Sequence, residues 1–195
     1  MIRLAALAAA GLLAAACTET VTLAPAGVYS ASGYAFDLER DWSRIPDGLD
    51  PSVTVDQLTV DGPQLNQVLL IEQLADGASL VNTAGEDDPA PVFRAGMTEL
   101  DVVEFLTDSL SAIGLEDVAA QHVRPAPFAG AAGVRFRFTA RRANGLAVRG
   151  AAAASSAGDS LDGLVFLAPA EHYFTHYQGD VEAMFDTARR AAAES

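Results

Sequence analysis

The chain has no lysine, one cysteine and one tryptophan in 195 residues. It carries no Gly-x-Ser-x-Gly nucleophile elbow, no phosphate-binding loop and no dinucleotide fingerprint; Gly130 and Gly133 merely bracket two alanines beside a strand. A lone cysteine excludes an internal disulfide. Positive charge is scarce: 12 cationic side chains, all arginine, stand against 26 carboxylates, for a net charge of −14. A body this acidic is repelled by phosphate backbones, which removes nucleic acid as a partner and leaves solubility as the plain meaning of the charge. Arginine as the only strong cation, with so much alanine, is the codon signature of a GC-rich bacterial genome. Residues 34–190 suffice for one ordinary core, so a single domain is expected.

What is present begins at the N-terminus. Arg3 precedes an apolar run from Leu4 to Ala16, too short to span a bilayer and of the length of a signal-peptide core. Leu13-Ala14-Ala15-Ala16-Cys17 resembles the bacterial lipoprotein box, with the leucine four residues before the cysteine instead of three. The resemblance implies cleavage before Cys17 and attachment of acyl chains, palmitate among them. Several chains, at about 0.8 kcal/mol per buried methylene, anchor stably where one does not. Ala14-Ala15-Ala16 also satisfies the ordinary small-residue cleavage rule, so secretion with a free thiol is the competing reading. Thr18 is not the aspartate associated with inner-membrane retention, which implies an outer-membrane anchor facing the periplasm. Loss of Arg3 with the leader takes the charge from −14 to about −15. The expected organisation is a signal peptide over 1–16, a lipidated cysteine and flexible tether over 17–33, and one α+β domain over 34–192.

Along the domain, Tyr34 to Leu38 alternates as a strand, and Trp42 is a core or rim anchor. Residues 46–51 form a loop; strands follow at 58–60 and 68–74, then an acidic loop at 86–91. Asp87 and Asp88 in that loop lack the spaced oxygen ligands of a calcium site. Thr98 and Asp101 are a capping pair for a helix over 99–113, with Leu100, Val103, Leu106, Leu110 and Ile113 as its apolar face and Gly114 as its stop. A strand is expected at 118–123. Val134 to Phe138 then pairs with Leu146 to Arg149 across a three-residue loop, Ala143-Asn144-Gly145. That register is preferred over a two-residue Asn-Gly turn because it keeps Val148 and Leu146 with Phe136 and Phe138. Ala151 to Ala154 reads as a strand of small side chains, 158–163 as a turn and 164–167 as a strand. A final helix is expected from 181 to 192, capped by Asp180, with Val181, Met184, Phe185 and Ala188 buried.

Strands, helix, meander and helix argue for an α+β domain: a largely antiparallel sheet with helices packed on it. The early aromatic strand ending in Trp42 and Pro46, the mid-chain helix, three antiparallel strands, and Phe166-Leu-Ala-Pro169 running through Tyr173 and Tyr177 into the last helix resemble the PsbP and Mog proteins. Some bacterial lipoproteins share that α/β sandwich. Members of this superfamily differ in activity, so the resemblance implies a fold and no site residues.

Three histidines remain. His122 is alone in a strand, a structural or surface position. His172 and His176, beside Glu171, would share a face in a helix, but no third ligand is named, so no metal and no cofactor are expected. Arg135, Arg137 and Arg141 alternate on one face of the hairpin, and the three-residue loop adds Arg149 to them. That face suits an anionic ligand or partner; its plain reading is neutralisation by the chain's own carboxylates. The expected function is non-enzymatic: a binding or accessory lipoprotein of the cell envelope, joined to the membrane by Cys17 and acting through an envelope protein partner. A periplasmic carrier of a small apolar molecule and a metal-dependent enzyme are the alternatives.

Overall fold

Side-chain alternation gives the central strands two different faces, and each face is covered by a different helix. A computed structural model of the chain describes residues 20–83 and 89–191. The leader and Cys17, together with Asp87, Asp88 and Ala192, lie outside the described residues. The elements are β1 (Thr22–Ala24), β2 (Gly27–Ser30), β3 (Tyr34–Leu38), β4 (Trp42–Ile45), β5 (Gln57–Thr59), β6 (Gln67–Ala75), α1 (Glu99–Ala112), β7 (Leu115–Pro125), β8 (Gly133–Arg142), β9 (Ala147–Ala157), β10 (Ser160–Pro169), α2 (Tyr173–Thr187) and β11 (Arg189–Arg190). An antiparallel eight-stranded sheet runs β1-β4-β5-β6-β10-β9-β8-β7, and a three-stranded sheet runs β11-β3-β2. The fold is α+β with a largely antiparallel sheet and packed helices.

Val134, Phe136, Phe138, Val148, Ala152 and Val165 face one way and pack with Val102, Val103, Phe105 and Leu106 of α1. Ala151, Ala153, Leu164 and Phe166 face the other way, onto Phe174, Val181 and Met184 of α2 and onto Tyr34 and Phe36 of the small sheet. Full burial of each such phenylalanine stabilises by about 1.5–3 kcal/mol, so the two faces together fix the register of the strands. The β8–β9 hairpin closes with three residues: the Arg142 N–H donates to the Leu146 carbonyl at 2.9 Å, and Phe138 lies opposite Gly150. Val148 is buried, whereas Leu146 is 42% exposed at the loop end and does not join the phenylalanines.

The structure corrects several expectations. Part of the segment expected as a tether folds: β1 pairs with β4 and β2 with β3, and Ala24 is buried. Thr22, Val28 and Tyr29 suit a strand but the Pro, Gly and Ala around them do not, so these short strands depend on distant partners. The Thr98–Asp101 capping box forms, but Leu100 in the first turn is 69% exposed; Val102, Phe105 and Ser109 fill the buried face beside Val103, Leu106 and Leu110. The turn expected over 158–163 contracts, with Ala157 opposite Ser160 and Asp162 and Gly163 inside β10. The last helix starts at Tyr173, eight residues early, and stops at Thr187. Asp180 therefore lies within α2, buried, instead of capping it. Residues 189–190 leave the helix to pair with Tyr34 and Ala35.

Candidate functional site

The pleat of β8 puts Arg135, Arg137 and Arg141 on the face turned toward α2, and the register with β9 sets Arg149 opposite Thr139 on that same face. Ala151 and Ala153 continue that face on β9, and their small side chains let α2 approach closely. The helix answers the arginines with carboxylates one turn apart. Arg135 donates through Nη2 to Glu182 and through Nη1 to Asp186 Oδ1 at 2.6 Å, and its guanidinium lies 4.8 Å from the centre of the Phe185 ring. Arg137 Nη2 reaches the other Glu182 oxygen at 3.1 Å. Arg149 stacks over Phe174, 4.9 Å from the ring centre. Arg141 meets only Asp117, at 3.7 Å, and both side chains are mostly exposed, so that pair contributes little.

The four arginines thus share a face without forming one open patch. Arg135 and Arg137 line a concavity of about 200 Å³ together with His122, Arg124 and Glu182. Arg141 and Arg149 line a separate, larger and more open one of about 420 Å³ with Asp117 and Thr139. Alternation along the strand does not bring Arg124 to this face; a bulge, which has no composition signal, carries it there.

A second polar cluster fastens the start of α2. Tyr177 Oη donates to Asp61 Oδ2 at 2.5 Å, and burial together with that bond to a carboxylate pushes the phenol up to about 12. Arg40 Nε lies 2.5 Å from Asp180 Oδ2, and its guanidinium is 5.2 Å from the centre of the Tyr177 ring. Trp42 is buried beneath, its ring 5.8 Å from that of Tyr177. A phenol held protonated to such high pH is neither base nor nucleophile near neutrality, so the cluster acts as a pin. His172 and His176 come together with rings 5.8 Å apart and nearly parallel, because His172 is the N-cap of α2 at φ 65° and His176 sits one turn in. Among the described residues, no group of three or more histidine, cysteine, aspartate or glutamate side chains is arranged to hold a metal ion.

No protein-family model matches this chain, and no curated protein matches it. Among solved structures, it is similar to the solution structure of cyanobacterial PsbP (CyanoP) from Synechocystis sp. PCC 6803, with a TM-score of 0.48 and 11% sequence identity over 93% of this chain and 98% of that one. At that identity no residue role transfers from one chain to the other.

Proposed function

We propose that this chain is a non-enzymatic binding or accessory lipoprotein of a bacterial cell envelope. It is held at the outer membrane, facing the periplasm, through acylated Cys17, and works through contacts with an envelope protein. The observation that carries this reading is the leader over residues 1–16, which ends at the only cysteine, five positions before the first strand at Thr22. The polar side chains of the body support it: Arg40 with Asp180, Tyr177 with Asp61, and Arg135 with Glu182 and Asp186 are engaged in fastening α2. In the test, Cys17→Ser should move the protein from the membrane to the soluble fraction with an unchanged melting temperature. It should also abolish labelling by tagged palmitate. Persistence of the variant in washed outer membranes after high salt would sink the anchor.

A further inference from the structure

Strand β7 shifts register against β8 at two bulges, one after Glu116 and one after Gln121, and the second re-aims an arginine. Gln121 lies opposite Arg137, whereas Arg124 lies opposite Arg135, so one extra residue is accommodated between them. His122 takes up the distortion at φ 53°, in the left-handed region that non-glycine residues seldom occupy. Without the bulge, Arg124 would fall opposite Val134 and point toward the core under α1. With it, Arg124 moves to the face of Arg135 and Arg137. Bulges commonly re-aim a side chain in this way.

The result is costly for the bare protein. Two arginines stand directly opposite each other on neighbouring strands, an arrangement that destabilises a sheet. The Arg124 side chain has no ion pair or hydrogen bond among the described residues, in a chain with more than two carboxylates for every arginine. Three guanidinium groups here face only Glu182 and Asp186. Arg135 uses both of its terminal nitrogens on those carboxylates, and Arg137 commits one to Glu182. Arg124 and the rest of the Arg137 fork remain free at the mouth of the 200 Å³ concavity, beside His122.

We propose that this concavity binds the phosphate group of a small phosphomonoester or of a lipid headgroup. Two guanidinium forks, on adjacent strands, line it. A tetrahedral oxyanion has enough oxygens to accept from both, whereas a carboxylate is satisfied by one. Glu182 holds Arg135 and Arg137 in place from the helix side, and a bound dianion cancels the Arg124–Arg135 repulsion. The acidity of the whole chain excludes a polyanion, but charges beyond about 8 Å are largely screened at physiological salt, and a single phosphate meets chiefly the local cations. The site does not depend on how the chain is attached to a membrane, so it stands or falls separately from acylation at Cys17.

The test is calorimetric titration of the full chain in non-ionic detergent at physiological ionic strength. The probes are inorganic phosphate, glycerol 3-phosphate and phosphatidic acid doped into the micelles. Saturable binding of at least one probe is expected, weakened about tenfold or more by Arg124→Gln and unchanged by Arg141→Gln. The Arg124 side chain makes no ion pair or hydrogen bond and repels Arg135, so the variant should melt no lower than the wild type. A response to the soluble probes assigns a free ester, and a response to the doped micelles alone assigns a headgroup. Absence of saturable binding to all three, or undiminished binding by Arg124→Gln, overturns the proposal.

Discussion

At Gly150 the missing side chain matters because two others occupy its place. A Cβ there would lie 2.0 Å from Phe138 Cζ and 2.5 Å from the Phe166 carbonyl oxygen. Neither a buried ring nor a strand carbonyl yields easily, so Gly150→Ala should destabilise by about 1–3 kcal/mol, read as a lower urea midpoint at constant slope. Asp162 is a buried carboxylate, only 2% exposed. It accepts the Gln73 N–H at 2.9 Å, next to a bulge where Gln73 has φ 50°, and Arg190 Nη1 stands 3.7 Å away. Burial raises its pKa despite those two partners. A carboxyl whose folded pKa is raised contributes stability that is fully present below its unfolded value and is lost as pH climbs through the folded one. Asp162→Asn keeps an acceptor for Gln73 without the charge. The variant should therefore gain on the wild type between pH 3 and pH 7 in parallel urea titrations; a constant difference would show that burial of the charge is not penalised.

Among the elements, those encoded by local signals were legible in the sequence. The alternation of Tyr34, Phe36 and Leu38, the Thr98–Asp101 box and the three-residue loop before Leu146 are all short-range features, and each forms. The early start of α2 was hidden because His172, Tyr173, His176, Tyr177 and Gly179 are weak helix formers. Its buried face, Phe174, Tyr177, Val181, Met184 and Phe185, nevertheless keeps helical spacing, and the sheet supplies the stability that propensity does not. Met184 is fully buried in that face, so Met184→Ala should cost about 2–5 kcal/mol and lower the melting temperature accordingly. For the candidate site, the common face of the four arginines followed from the pleat. Their division between two concavities did not, because it depends on Glu182 and Asp186 arriving from a helix placed elsewhere. Nor did Arg124, whose orientation rests on an inserted residue.

At the scale of the molecule, ordering of the segment after Thr20 limits how far an anchored domain could stand from its membrane. Five residues from Cys17 to Thr22 reach at most about 18 Å when fully extended. Val21 and Leu23 are exposed at that end, 55% and 67%. An anchored chain would therefore ride close to the lipid surface. A ten-residue Gly/Ser insertion after Thr18 should leave the melting temperature unchanged and lift the domain by about 15–20 Å, measurable by energy transfer from a labelled bilayer. An unchanged distance would mean that the body, not the spacer, sets its own height.

Asp37 of β3 gives its N–H to the Thr187 hydroxyl, 150 positions later, and β11 pairs alongside at Tyr34 and Ala35. Tyr34 and Phe36 are thus made long before the helix and strand that cover them, in whatever compartment the chain folds. At about 5–20 residues per second, synthesis of the intervening stretch alone takes roughly eight to thirty seconds. During that interval the small sheet cannot close, whatever the large sheet has achieved. This fold completes only when residues 150 positions apart have met.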